Sequence, residues 1–208
     1  MKRHIDVRTL LGIAAALTLC VIGGGLAGAS APLALDSARV TISGTSNIHA
    51  YTASTTTVRV RRAQLAGAPE GVDLWASALT PGGVEAFEVA IAAATITSPR
   101  EGLDANMHKA LRVNEHPDIV FRLLRFEPRT GPPGSLRGIG VLKIAGVVRE
   151  VALDITTARK DSTLSVRGQV QLLMTDFGIA PPVALLGMLK TDPKVTVTFE
   201  TVLMVPLT

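Results

Sequence analysis

A chain of 208 residues with 47% hydrophobic and 18% charged side chains is long enough for one domain and too apolar to be intrinsically disordered. Its one cysteine excludes an intramolecular disulfide and a cysteine-based zinc site, and 3% aromatic residues leave no stacking platform for single-stranded nucleic acid. The formal net charge of +4 is modest, and the apolar residues are unevenly spread.

Lys2, Arg3 and Arg8 open the chain, and residues 9–31 then hold no charged side chain. A basic start, an apolar middle and a small-residue end form the pattern of a secretory signal peptide, here over residues 1–29. Ala27-Gly28-Ala29 fits the small-x-small rule for cutting before Ser30, whereas cutting after Ala31 would leave Pro32 at the new terminus. The competing reading is an uncleaved membrane anchor, because residues 9–31 are long enough to span a bilayer. Gly23, Gly24, Gly25 and Gly28 weaken a helix there. In both readings the basic residues stay inside, so the remainder is periplasmic or secreted, or anchored outside the cytoplasm. Cys20 follows Leu19, where a lipoprotein signal wants a small residue. Losing the leader removes Lys2, Arg3, Arg8 and Asp6 and takes the net charge to +2. That leaves little support for a nucleic-acid or other polyanionic partner.

Residues 35–208 read as one all-β domain. Candidate strands in chain order are 38–43, 55–65, 84–97, 118–127, 136–145, 147–158, 164–174 and 195–200. The clearest run alternates Leu164, Val166, Gly168, Val170, Leu172 and Met174 with Ser165, Arg167, Gln169 and Gln171, the period-two pattern of a strand with one buried face. Val195, Val197 and Phe199 alternate with Thr196, Thr198 and Glu200 in the same way. Thr80–Gly83 predicts a hairpin turn, Arg129–Ser135 a Pro/Gly turn, and Ala145-Gly146 the turn of a hairpin over 139–155. Two segments break the pattern. Gly102–Arg112 places Leu103, Met107, Ala110 and Leu111 on one helical face, and Pro182–Lys190 is a short apolar piece. Strand after strand without long helices predicts an antiparallel barrel of about eight strands, with those two segments plugging or lining one end.

Catalytic signals are weak. No paired-histidine or Cys/His spacing marks a metal site, and no G-x-S-x-G elbow or Gly-rich phosphate loop occurs in the body of the chain. His49, His108 and His116 stand singly. The expectation is that the protein is not an enzyme and has neither catalytic nor metal-ligating residues.

Four segments in series carry a resemblance. They are Leu35–Ser54 with SGTSNIHAYTAS, Leu103–Phe121 (LDANMHKALRVNEHPDIVF), Gly138–Val151 (GIGVLKIAGVVREV) and Thr175–Ile179 (TDFGI). Together they resemble the YceI-like family, exported bacterial proteins with a lipocalin-like barrel that hold isoprenoid or other amphiphilic lipids. The chain departs from the family pattern in lacking tryptophan near Ala34–Asp36, in having Ala50 after His49, and in having Tyr51 for an aromatic Trp.

The resemblance implies a lipocalin-like β-barrel with one or two short helices and one elongated ligand inside, bound without catalysis. The apolar contacts expected are Phe87, Val89, Ile91, Met107, Leu111, Phe121, Val170, Leu172, Met174, Phe177 and Phe199, with Val166 and Val197 on the same wall. His49, Tyr51, Asn106 and His108 are expected to hydrogen-bond a polar headgroup at the mouth. Ala90, Ala92, Ala93 and Ala94 are expected to leave room in the lumen. No cofactor is expected, the ligand being an isoprenoid or isoprenoid quinone. A membrane surface and a second copy of the chain, as a homodimer, stand as further partners. The alternative is a filled barrel serving as a structural or protein-interaction module at the cell envelope.

Overall fold

The computed structural model describes residues 31–67, 72–184 and 188–205; the predicted leader, residues 1–29, lies outside them. The chain runs β1 (Ala31–Pro32), β2 (Ala34–Ser46), β3 (Ala50–Thr55), β4 (Val58–Leu65), α1 (Leu74–Ala78), β5 (Val84–Ala92) and α2 (Glu101–Leu111). It continues through β6 (Asp118–Pro128), β7 (Ser135–Ile144), β8 (Val147–Lys160), β9 (Thr163–Leu173), β10 (Val183–Ala184) and β11 (Leu189–Met204). All pairings are antiparallel, in the order β1-β4-β5-β6-β7-β8-β9-β11-β2-β3, with β10 on β11. This order forces closure. β1 stands at one edge beside β4, yet only Leu33 joins it to β2 near the other edge. β3 and β4, also from opposite ends of the order, are joined by two residues, Thr56 and Thr57. Ser54 pairs with Thr97 across the seam. The sheet therefore curls into a barrel, as expected.

Local chemistry explains the corners. The β7–β8 turn sets Ala145 at φ 47° and Gly146 at φ 86°, the left-handed pair that a two-residue hairpin needs. Three inward rings lie across bare glycines. A Cβ at Gly44 would fall 2.3 Å from Tyr51, at Gly140 2.4 Å from Phe121, and at Gly168 2.4 Å from Phe199. Outside the barrel, Asp118 on β6 accepts from Arg59 and Arg61 on β4 at 2.5 and 2.7 Å, so both arginines reach over β5.

Helix α1 caps the end of the barrel where the described chain begins. Asp73 is its N-cap, accepting the Ala76 amide at 2.9 Å, and it also receives Arg159. Trp75 is 5% exposed and donates its indole N–H to the Ser162 carbonyl at 3.3 Å. The Ala76 amide and the Arg159 guanidinium hold the Asp73 carboxyl below the usual carboxylate range. Its stabilising contribution is thus complete above that range and fades as pH falls through the lowered value. Asp73→Ala should lower the melting temperature at neutral pH, and the gap to the parent should close on acidification; a gap independent of pH would count against the cap.

Besides helix α1, which the sequence reading did not place, the structure departs from it in four places. Residues 50–54, assigned to no candidate strand, form β3 together with Thr55. Thr80–Gly83 is the turn from α1 into β5, not a hairpin turn. Pro182–Lys190 carries the short β10 and the start of β11, which runs back to Leu189. The 84–97 strand stops at Ala92, after which Ala93–Thr95 form a 3-10 turn.

Candidate functional site

Buried residues gather at the two ends of the barrel. At the α2 end, Ile96, Ile119, Leu142, Leu172, Phe177 and Ile179 belong to one cluster. At the α1 end, Leu33, Leu65, Trp75, Ala78, Leu164 and Leu203 form another. Between them the inward side chains of the strands pack against these clusters without being fully buried. Val40, Phe87, Val89, Phe121, Val166, Val170, Val197 and Phe199 are only partly buried, although all face the lumen. Protein interiors are normally close-packed, so apolar side chains that face inward and stay only partly buried mark a cavity.

That cavity has two chambers. The larger, about 210 Å³, runs the length of the barrel, with Trp75 and Leu79 among its lining residues at the α1 end. Its described wall carries no charged residue, and the only hydroxyl side chains are Thr157 and Thr201. The smaller, about 110 Å³, lies under α2, with Leu103, Met107, Ala110 and Leu111 on its wall. Ile42, Ile119, Ile144, Leu172 and Val197 line both chambers. The two chambers together reach the lower end of the about 300–1,000 Å³ typical of small-molecule pockets.

The sequence-derived site residues divide by type. Phe87, Val89, Ile91, Phe121, Val170 and Phe199 line the larger chamber, Met107, Leu111, Met174 and Phe177 the smaller, and Leu172 both. Val166 and Val197 also lie on the wall. Of the polar set, Tyr51 alone lines a chamber. Burial first, and the Asp192 carboxylate second, push its phenol above the ordinary value. His108 points its Nε2 at the Ile96 carbonyl, 2.8 Å away. Asn106 is exposed and donates to the Gly102 carbonyl at 3.0 Å. His49 sits in the β2–β3 turn, where Ser46 binds its carbonyl, and it does not line either chamber. Nor do the alanines make the room expected of them. Val89 and Ile91 face the lumen, so Ala90 and Ala92 between and after them lie on the other face of the sheet, where Ala90 is fully buried; Ala93 packs in the α2-end cluster and Ala94 is exposed.

Sequence reasoning missed Trp75, Leu35, Leu123, Phe126 and Leu153, which also line the larger chamber. Leu123 and Phe126 fall on opposite parities in sequence; a register shift between Leu123 and Arg125 brings both inward. No group of His, Cys, Asp and Glu among the described residues has metal-site geometry.

The fold is shared with solved structures. Burkholderia cenocepacia BcnA superposes with TM-score 0.63 at 14% identity, over 79% of this chain and 95% of that one. A polyisoprenoid binding domain from Saccharophagus degradans, implicated in plant cell wall breakdown, gives 0.59 at 11% identity, over 85% and 99%. The Campylobacter jejuni YceI protein gives 0.50 at 17% identity, over 70% and 82%. No curated protein matches the chain. Residues 33–203, nearly the whole of the barrel, match the YceI-like domain, and the chain belongs to that family.

Proposed function

We propose that the protein binds one elongated lipid, of the isoprenoid class, inside the barrel and carries out no chemistry on it. The observation that carries this reading is the pair of adjoining chambers whose described walls are almost wholly apolar and hold no charged residue. Each CH2-sized group moved there from water contributes about 0.8 kcal/mol, so a hydrocarbon chain supplies affinity without any polar contact. The family membership and the polyisoprenoid-binding domain among its structural neighbours favour the same ligand class. The basic-apolar-small pattern of residues 1–29 adds export to a compartment outside the cytoplasm, where a water-insoluble chain needs a carrier. Among the described residues no helix is long and apolar enough to cross a membrane.

Organic extracts of protein purified from its native host should contain a stoichiometric isoprenoid lipid by mass spectrometry. Adding an isoprenoid quinone to delipidated protein should raise the melting temperature in proportion to the logarithm of its concentration. A lipid-free extract together with an unmoved melting temperature would sink the carrier reading and leave the filled-barrel alternative.

A further inference from the structure

Two side-chain polar atoms among the described residues are buried and have no hydrogen-bond partner, Tyr51 Oη and Ser135 Oγ. Tyr51 lines the smaller chamber, under α2. Gly44, its cross-strand partner, is what holds the ring there, because a Cβ at Gly44 would fall 2.3 Å from the hydroxyl oxygen. Burial keeps this phenol protonated, so it is a neutral O–H donor. A buried hydroxyl without a partner is a cost that folding alone does not require, since phenylalanine fills the same space. The other described residues around the chamber include no cation, so an anionic headgroup would find none among them to replace its hydration. A neutral oxygen needs only the one donor.

We propose that the Tyr51 hydroxyl donates a hydrogen bond to an uncharged oxygen of the bound lipid, a ketone, ester or alcohol, and thereby selects oxygenated isoprenoids over plain hydrocarbons. This rests on the lipid-binding reading. The oxygenated end lies under α2 and the hydrocarbon runs past Ile42 and Val197 into the larger chamber.

Farnesylacetone and β-farnesene, a ketone and a hydrocarbon of similar chain, separate the two ideas. The parent should bind the ketone about tenfold more tightly than the hydrocarbon, the worth of one buried hydrogen bond. Tyr51→Phe should erase that preference while leaving the hydrocarbon affinity unchanged, and its ligand-free melting temperature should equal or exceed the parent's. A residue with a purely structural hydroxyl would lose stability instead. Gly44→Ala, whose Cβ would fall 2.3 Å from the hydroxyl oxygen and 2.4 Å from the ring carbon that bears it, displaces both and should also erase the preference. If both probes bind and Tyr51→Phe retains the preference, the assignment is wrong. If neither binds the parent, the lipid-binding reading fails and the assignment falls with it.

Discussion

Val197→Phe is expected to abolish high-affinity uptake of an isoprenoid chain while leaving the barrel at least as stable as the parent. Val197 lines both chambers, so a larger side chain there takes up room where the two adjoin. In a filled core the same change would force neighbours off their rotamers and cost about 1–3 kcal/mol. In a cavity it adds apolar contact instead. Excluding about three CH2-sized groups of ligand would forfeit about 2.4 kcal/mol, a loss of roughly 50-fold in affinity. Lipid titration and thermal melting of one variant therefore separate a binding barrel from a structural one. Unchanged binding, or a marked loss of stability, would contradict the hollow interior.

The largest loss of stability should come from Trp75→Ala. Trp75 is 5% exposed, packs among Leu33, Leu65, Leu164 and Leu203, and forms part of the floor of the larger chamber. Truncation removes its apolar area, its bond to Ser162 and the main contact of α1 with the barrel. The cost should be about 3–5 kcal/mol by denaturant unfolding, in line with other buried tryptophans. Trp75→Phe should recover most of it, because the ring keeps the floor closed and loses mainly one hydrogen bond worth about 1 kcal/mol. A small effect of Trp75→Ala would show that α1 is not needed to close that end.

Much of this barrel was legible where one face is apolar and the other polar. Strand β9 alternates Val166, Val170 and Leu172 with Arg167, Gln169 and Gln171, and the structure places the first set on the lumen and exposes the second. Helix α2 was legible for the same reason: Leu103, Met107, Ala110 and Leu111 do share the face over the smaller chamber. The misses have physical causes. Strand β3 turns only Tyr51, Ala53 and Thr55 inward, too small and polar a set to read as buried. Helix α1 has five residues, shorter than any window in which a helical period can be recognised. Asn106 and His108 stand about 100° to either side of Met107 on the helix, so a helix that aims Met107 into the chamber turns both away from it. A motif places such residues in sequence; only the helical phase assigns them to a face. The alanine run fails on the parity of β5, which commits Phe87, Val89 and Ile91 to the lumen and the residues between them to the other face of the sheet.

Trp75 is the only tryptophan in the chain. Because it lies in the floor of the larger chamber, the protein carries one intrinsic fluorophore and carries it at the site of proposed occupancy. Its indole is bonded to a backbone carbonyl and sealed from bulk water, so its emission reports on the lumen with no contribution from a second indole. Filling and emptying of the barrel can then be followed optically, in real time and without a label.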